Sequence, residues 1–142
     1  MSKKIKQDSK FIQVFEPSIT LQDKLSVFNT LNKKEISGTS PVIAKFENAL
    51  KTKFESKNAI AVSNGSVALD LAFQLADLNT DDEVILPSFT IISCLSAVIR
   101  SGAKPVFCDV DPNSWNMTYE NVERVLTDKT KVILMVHTYG LT

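Results

Sequence analysis

Residues 59–73 read AIAVSNGSVALDLAF. A short apolar run, Ala59 to Val62, gives way to Ser63-Asn64-Gly65-Ser66 and then to apolar residues at helical spacing. That order predicts a strand over Ala59–Ser63 turning into a helix over Ser66–Ala76. The first amides of such a helix have no intrahelical partners, and its dipole favours negative charge. A glycine also lets a ligand approach the backbone closely. Gly65-Ser66 is therefore a candidate anion site. The same residues also fit a plain strand-to-helix turn with Ser66 as a capping hydroxyl. The second and third glycines of a dinucleotide fingerprint are missing.

The rhythm continues downstream. Apolar runs at Glu83–Pro87, Pro105–Val110 and Lys131–His137 are separated by helical patterns over Phe89–Ser101 and Thr118–Leu126. The runs are nearly continuous in Val, Ile, Leu and Phe and do not alternate, as expected of parallel strands covered on both faces. Strand and helix alternate throughout, which predicts an α/β sheet with crossover helices. Upstream, helices are expected over 17–34 and, after Ser37-Gly38-Thr39-Ser40-Pro41, over 41–54. Residues 1–16 read as an irregular arm.

Ligands of open α/β sheets sit at the carboxyl ends of the strands. Those ends carry Ser63–Ser66, Pro87–Thr90, Asp109–Asp111 and His137–Gly140. Lys104, Lys129 and Lys131 lie at or before strand starts, on the opposite edge. His137, the single histidine, could act as a base or a cofactor neighbour, or be structural. Asp109 and Asp111 could hold a metal, but no further ligands cluster with them. A turn in DPNSW, with side chains accepting from backbone amides, accounts for them better. Thr118 and Glu120 read as a helix start.

Composition bounds the class. At 142 residues, 44% hydrophobic and 23% charged, the chain is that of a globular domain. Net charge is zero, which gives no general polyanion-binding character. The balance is uneven along the chain, with eleven Lys against six acids through Asn58 and five basic residues against ten acids after it. That reads as a solvated surface, with an anionic partner as the alternative. Two unpatterned cysteines, Cys94 and Cys108, argue for a reducing compartment and against a disulfide framework or a zinc site. The basic start has no apolar stretch behind it, so a cytoplasmic protein is expected.

Five blocks taken together, ISGTSPVIAKFENALKTKF, AIAVSNGSVALDLAF, DDEVILPSFT, SGAKPVFCDVDPNSWNM and TKVILMVHTYG, resemble the DegT/DnrJ/StrS family of sugar aminotransferases. The turn, the PSFT block and the Trp after DVD are similar to its perosamine-synthase branch. The resemblance runs from about Glu35 to Gly140. It implies the large domain of a fold-type-I transferase using pyridoxal 5′-phosphate (PLP), incomplete here, with an arm and helix over 1–36 and the partial α/β domain over 37–142. It also implies a homodimer that moves an amino group from glutamate to a nucleotide-linked keto sugar, in amino-sugar or polysaccharide biosynthesis.

On this resemblance Gly65 and Ser66 match the Gly-Thr pair that holds the cofactor phosphate. Ile91 takes the place of the aromatic residue that covers the cofactor ring. The Schiff-base lysine and the carboxylate partner of the pyridine nitrogen lie, in the family, beyond the VHxYG block, where this sequence stops. No catalytic residue is therefore expected within it. An inactive truncated product, half of a split enzyme completed by another chain, or a small α/β nucleotide-binding module are the alternatives. An uncovered strand over Val132–Val136 is expected to make the chain associate.

Overall fold

A computed structural model describes residues 13–140, so residues 1–12 of the arm expected over 1–16 lie outside the described residues. The chain divides into two compact units between Ala61 and Val62.

The first unit is helical. Helix α1 spans Leu21–Asn32 and starts later than the apolar spacing from Pro17 suggests. The reason is a capping box. Thr20 Oγ1 accepts from the Asp23 amide, and Asp23 Oδ2 accepts from the Thr20 amide at 2.7 Å. Helix α2 spans Pro41–Lys53, as expected. Pro41 falls in the first turn, where no N–H is needed. Glu47 of α2 accepts from the Ala61 amide at 2.9 Å.

The second unit is a parallel α/β layer: helix α3 (Gly65–Leu75), strand β1 (Glu83–Pro87), helix α4 (Ile92–Arg100), strand β2 (Lys104–Cys108), helix α5 (Tyr119–Val125) and strand β3 (Thr130–Ile133). The strands lie in the order β2-β1-β3, and both pairings are parallel. The expected α/β class and three of the four expected strands are present. The fourth, over 59–63, does not form. Residues 59–63 make no ladder pairing with any of the three strands.

Strand β3 is also shorter than the apolar run that announces it. Backbone bonds of β1 alternate between its neighbours. Lys104 donates to Asp82 and Ser88 to Cys108 on one side, while Glu83 donates to Lys129 and Ile85 accepts from Leu134 on the other. Residue 87 comes next on the β3 side. It is proline, which has no N–H to donate, and the ladder ends there.

The core packs α3 and α4 against one sheet face. Phe73, Val84, Leu86, Cys94, Ala97, Val98 and Ala103 are buried together, with Val132, Leu134 and Val136 partly buried against them. Ile133 at the end of β3 and Met135 just beyond it are exposed, in line with the expected uncovered apolar surface. The strand order reverses direction at β1. With the right-handed crossovers usual for parallel strands, that order puts α4 and α5 on opposite faces and the switch between β1 and β3.

Candidate functional site

The geometry collects the candidate residues on the carboxyl edge of the sheet. Helix α4 leaves the carboxyl end of β1 and returns to the start of β2, so its N-terminus faces that edge. Helix α3 leads from Leu75 through a short connection to the start of β1, so its N-terminus points the same way. The helices pack side by side, with Phe73 among Cys94, Ala97 and Val98. Arg100 forms an ion pair with Asp70 at 2.7 Å. That pair borders a cavity of about 460 Å³ between the C-terminal parts of the two helices, far from the carboxyl edge.

Gly65 and Ser66 are the first two residues of α3. The cap is Asn64, whose Oδ1 accepts from the Val67 amide at 3.1 Å, while its carbonyl accepts from Ala68. This corrects the reading of Ser66 as the capping hydroxyl. Asn64 is extended, as a cap must be, and its amide oxygen reaches the third helical residue. The amides of Gly65 and Ser66 make no hydrogen bond among the described residues. Both helix-first donors are therefore open to an anion.

Ile91 is not inside a helix over 89–101, as the pattern suggests. It is the extended N-cap of α4 and 64% exposed. Residues 88–91 form a loop instead, because Ser88 is still bonded to β2 and the Phe89 ring is drawn aside. Phe89 meets Trp115 at 5.4 Å and Tyr139 at 6.3 Å between ring centroids, and Trp115 meets Tyr139 at 5.3 Å. Thr138 Oγ1 donates to the Phe89 carbonyl. Next to Ile91, the Thr90 hydroxyl is buried without a partner among the described residues.

The loop after β2 is fixed by Asp111. Its Oδ1 accepts from the Asn113 amide at 3.0 Å and the Ser114 amide at 2.8 Å. These two bonds, that to Ser114 first, hold its carboxyl below the usual carboxylate range. This is the turn the sequence suggests, and no group of three or more metal-ligating side chains occurs among the described residues. His137 is exposed at the same edge. Thr118 caps α5 through the Asn121 amide.

The aromatic cluster and the buried Thr90 hydroxyl are the features that reading the sequence misses. The aromatic residues lie 26 and 24 positions apart, and only the parallel order of the strands brings them together. A sequence signal did exist: each sits within a few residues of a strand's carboxyl end.

Residues 17–142 match the DegT/DnrJ/EryC1/StrS aminotransferase family. The chain belongs to that family. It is 40% identical over 131 residues to the GDP-perosamine synthase of Escherichia coli O157:H7, covering 92% of this chain and 36% of the relative. An aminotransferase from Psychrobacter cryohalolentis superposes with a TM-score of 0.77 at 40% identity, covering 85% of this chain and 31% of the other. NtdA from Bacillus subtilis with bound cofactor PMP gives 0.77 at 32% identity, covering 86% and 29%. The chain thus spans about a third of the length of the relatives it matches. Among the described residues, no helix is long and apolar enough to cross a membrane.

Proposed function

We propose that this family member is the cofactor-anchoring, N-terminal part of a PLP-dependent aminotransferase. Its reaction moves an amino group from glutamate to a keto sugar carried on a nucleotide. The observation that carries this reading is the pair of unpartnered amides at Gly65 and Ser66 on the carboxyl edge of a parallel sheet. The residues fit a phosphate: two aligned N–H donors, a hydroxyl at Ser66 and the positive end of α3. Gly65 does not have a positive φ, and an added Cβ would meet nothing within 4 Å. Neither the turn nor the packing of the described residues demands glycine there, whereas close approach of a ligand does.

When bound, the cofactor supplies an electron sink for the bond changes at the amino-bearing carbon. This chain's part is to hold and orient it, with Gly65 and Ser66 on the phosphate and Ile91 covering one face of the ring. The lysines of the sheet unit do not reach that position. Lys104 opens β2, and Lys129 and Lys131 flank the start of β3. They lie about 13 Å or more along the strands from the carboxyl edge. In this reading the chain pairs with a second copy or with a complementing chain. The exposed Ile133 and Met135 offer surface for such a partner. The two buried free thiols, Cys94 and Cys108, suit a reducing cytoplasm.

The test is a PLP titration of the chain, followed by cofactor absorbance with inorganic phosphate as competitor. Saturable binding, displaced by phosphate and weakened about tenfold in Gly65→Ala, is expected from loss of one good anion contact. The same variant should melt no lower than the parent, since glycine in a helix costs about 0.5–1 kcal/mol relative to alanine. Unchanged affinity in Gly65→Ala, or no competition by phosphate, refutes the assignment. Borohydride reduction should label no lysine of this chain stoichiometrically.

A further inference from the structure

The aromatic cluster at the carboxyl edge is not used by the cofactor site above. Phe89, Trp115 and Tyr139 come from the segments following β1, β2 and β3, and they remain 42%, 45% and 56% exposed. Their planes meet at 63°, 42° and 61°. No pair is stacked face to face; the edge-on contacts cover part of the ring surface, and the rest stays open.

Trp115 is held there at a cost. Its φ is 59°, a left-handed conformation that is an outlier for so bulky a residue. The surrounding turn imposes it. The Trp115 amide donates to the Asp111 carbonyl at 2.8 Å, and the Asp111 amide donates to the Asn116 carbonyl at 2.9 Å. Indole Nε1 donates to the Pro112 carbonyl at 3.0 Å. The polar edge of the indole is thus satisfied inside the turn, and its apolar face is what remains for recognition. Strain of this kind persists where surrounding structure over-determines it, and it clusters at ligand sites.

We infer that Phe89, Trp115 and Tyr139 form a stacking platform for the heteroaromatic base of the nucleotide-linked substrate. The inference rests on the proposed function for the identity of that ligand. The platform and the anion site at Gly65-Ser66 both lie toward the carboxyl edge of the sheet. A sugar nucleotide is the substrate that carries a planar aromatic group alongside the reacting sugar. Stacking tolerates different bases, because every base has a π-face.

Trp115 is the chain's single tryptophan, so a base stacked on it reports itself. GDP, UDP and dTDP are titrated against the full chain while indole fluorescence is followed, with pyrophosphate as the base-free control. Saturable quenching by the nucleotides and none by pyrophosphate is expected. Tyr139→Leu should weaken it about tenfold, and Tyr139→Phe should stay within about twofold because it keeps the ring. Trp115→Phe, followed by calorimetry, should retain binding. The melting temperatures of the parent and the Tyr139 variants show whether each variant is folded. No nucleotide response, equal quenching by pyrophosphate, or unchanged affinity in a folded Tyr139→Leu chain overturns the platform. PLP binding with no nucleotide response sinks the platform and leaves the cofactor reading standing. The converse result sinks the cofactor reading and leaves the platform.

Discussion

The helical unit and the sheet unit carry equally clear hydrophobic patterns, yet they use them differently. In the sheet unit, Val84, Ile85 and Leu86 of β1 are fully buried. In the helical unit, neither α1 nor α2 buries a single residue, and Leu21, Leu25, Phe28 and Leu31 all remain exposed. What holds α1 is local. The capping box closes its first turn, and Ser26 and Thr30 return their hydroxyls to carbonyls four residues earlier. An amphipathic pattern therefore announces that a face exists, and says nothing of what lies against it. Isolated helices of this length are marginal in water, so tertiary burial normally decides their stability.

The comparison can be broken most sharply from the sheet side. Leu86→Ala removes a fully buried side chain from the core and should cost about 3 kcal/mol. In denaturant titration, the Trp115 transition should shift strongly while helical signal from residues 21–32 stays in place. An unmoved transition would mean that the sheet core is not what holds the second unit.

A smaller effect tests the helical side. Thr20→Ala deletes the cap of α1 and should cost about 1 kcal/mol. It should appear as faster amide exchange over residues 21–32, with the Trp115 transition unchanged. Movement of that transition would show that the two units melt together.

The smallest effect is expected with acid, and it reaches both units. The Asp23 carboxyl is held below its usual range by its hydrogen bonds to the Thr20 side chain and then the Thr20 amide, and that of Asp111 by the Ser114 and Asn113 amides. Each folded value is depressed. The stability each contributes is therefore present above the unfolded value near pH 4 and lost as pH falls through the folded one. Protection of the Asp23 and Ser114 amides, taken relative to their intrinsic exchange rate at each pH, should hold at neutral pH and fall only below about pH 4. Loss of protection between pH 5 and 7 would assign the loosening to other groups.

The same contrast explains what could be read in advance. The strands over 83–87, 104–108 and 130–133 were legible from their nearly unbroken apolar runs, although only β1 is buried on both faces. The run over 59–63 looked equally good but lacks a ladder partner, and pairing is not written in a segment's own composition. Gly65-Ser66 was legible as a helix start, although Asn64 does the capping: Ser63, Asn64 and Ser66 can all cap, and only backbone geometry chooses among them. The helix expected over 89–101 starts too early because the local pattern gives no sign that the Phe89 ring is committed to Trp115 and Tyr139. Contacts between residues more than twenty positions apart leave no local trace.

Pro87 fixes where β1 and β3 part. The ladder between β1 and β3 stops at a covalent feature, the missing N–H of an imino acid, and not at a side chain that happens to intrude. Like a zip with one tooth removed, the two strands can close only as far as Leu134, whichever side chains line the gap. The mouth between them is thus set by the main chain itself. Side chains beside the gap can differ without restoring the missing bond.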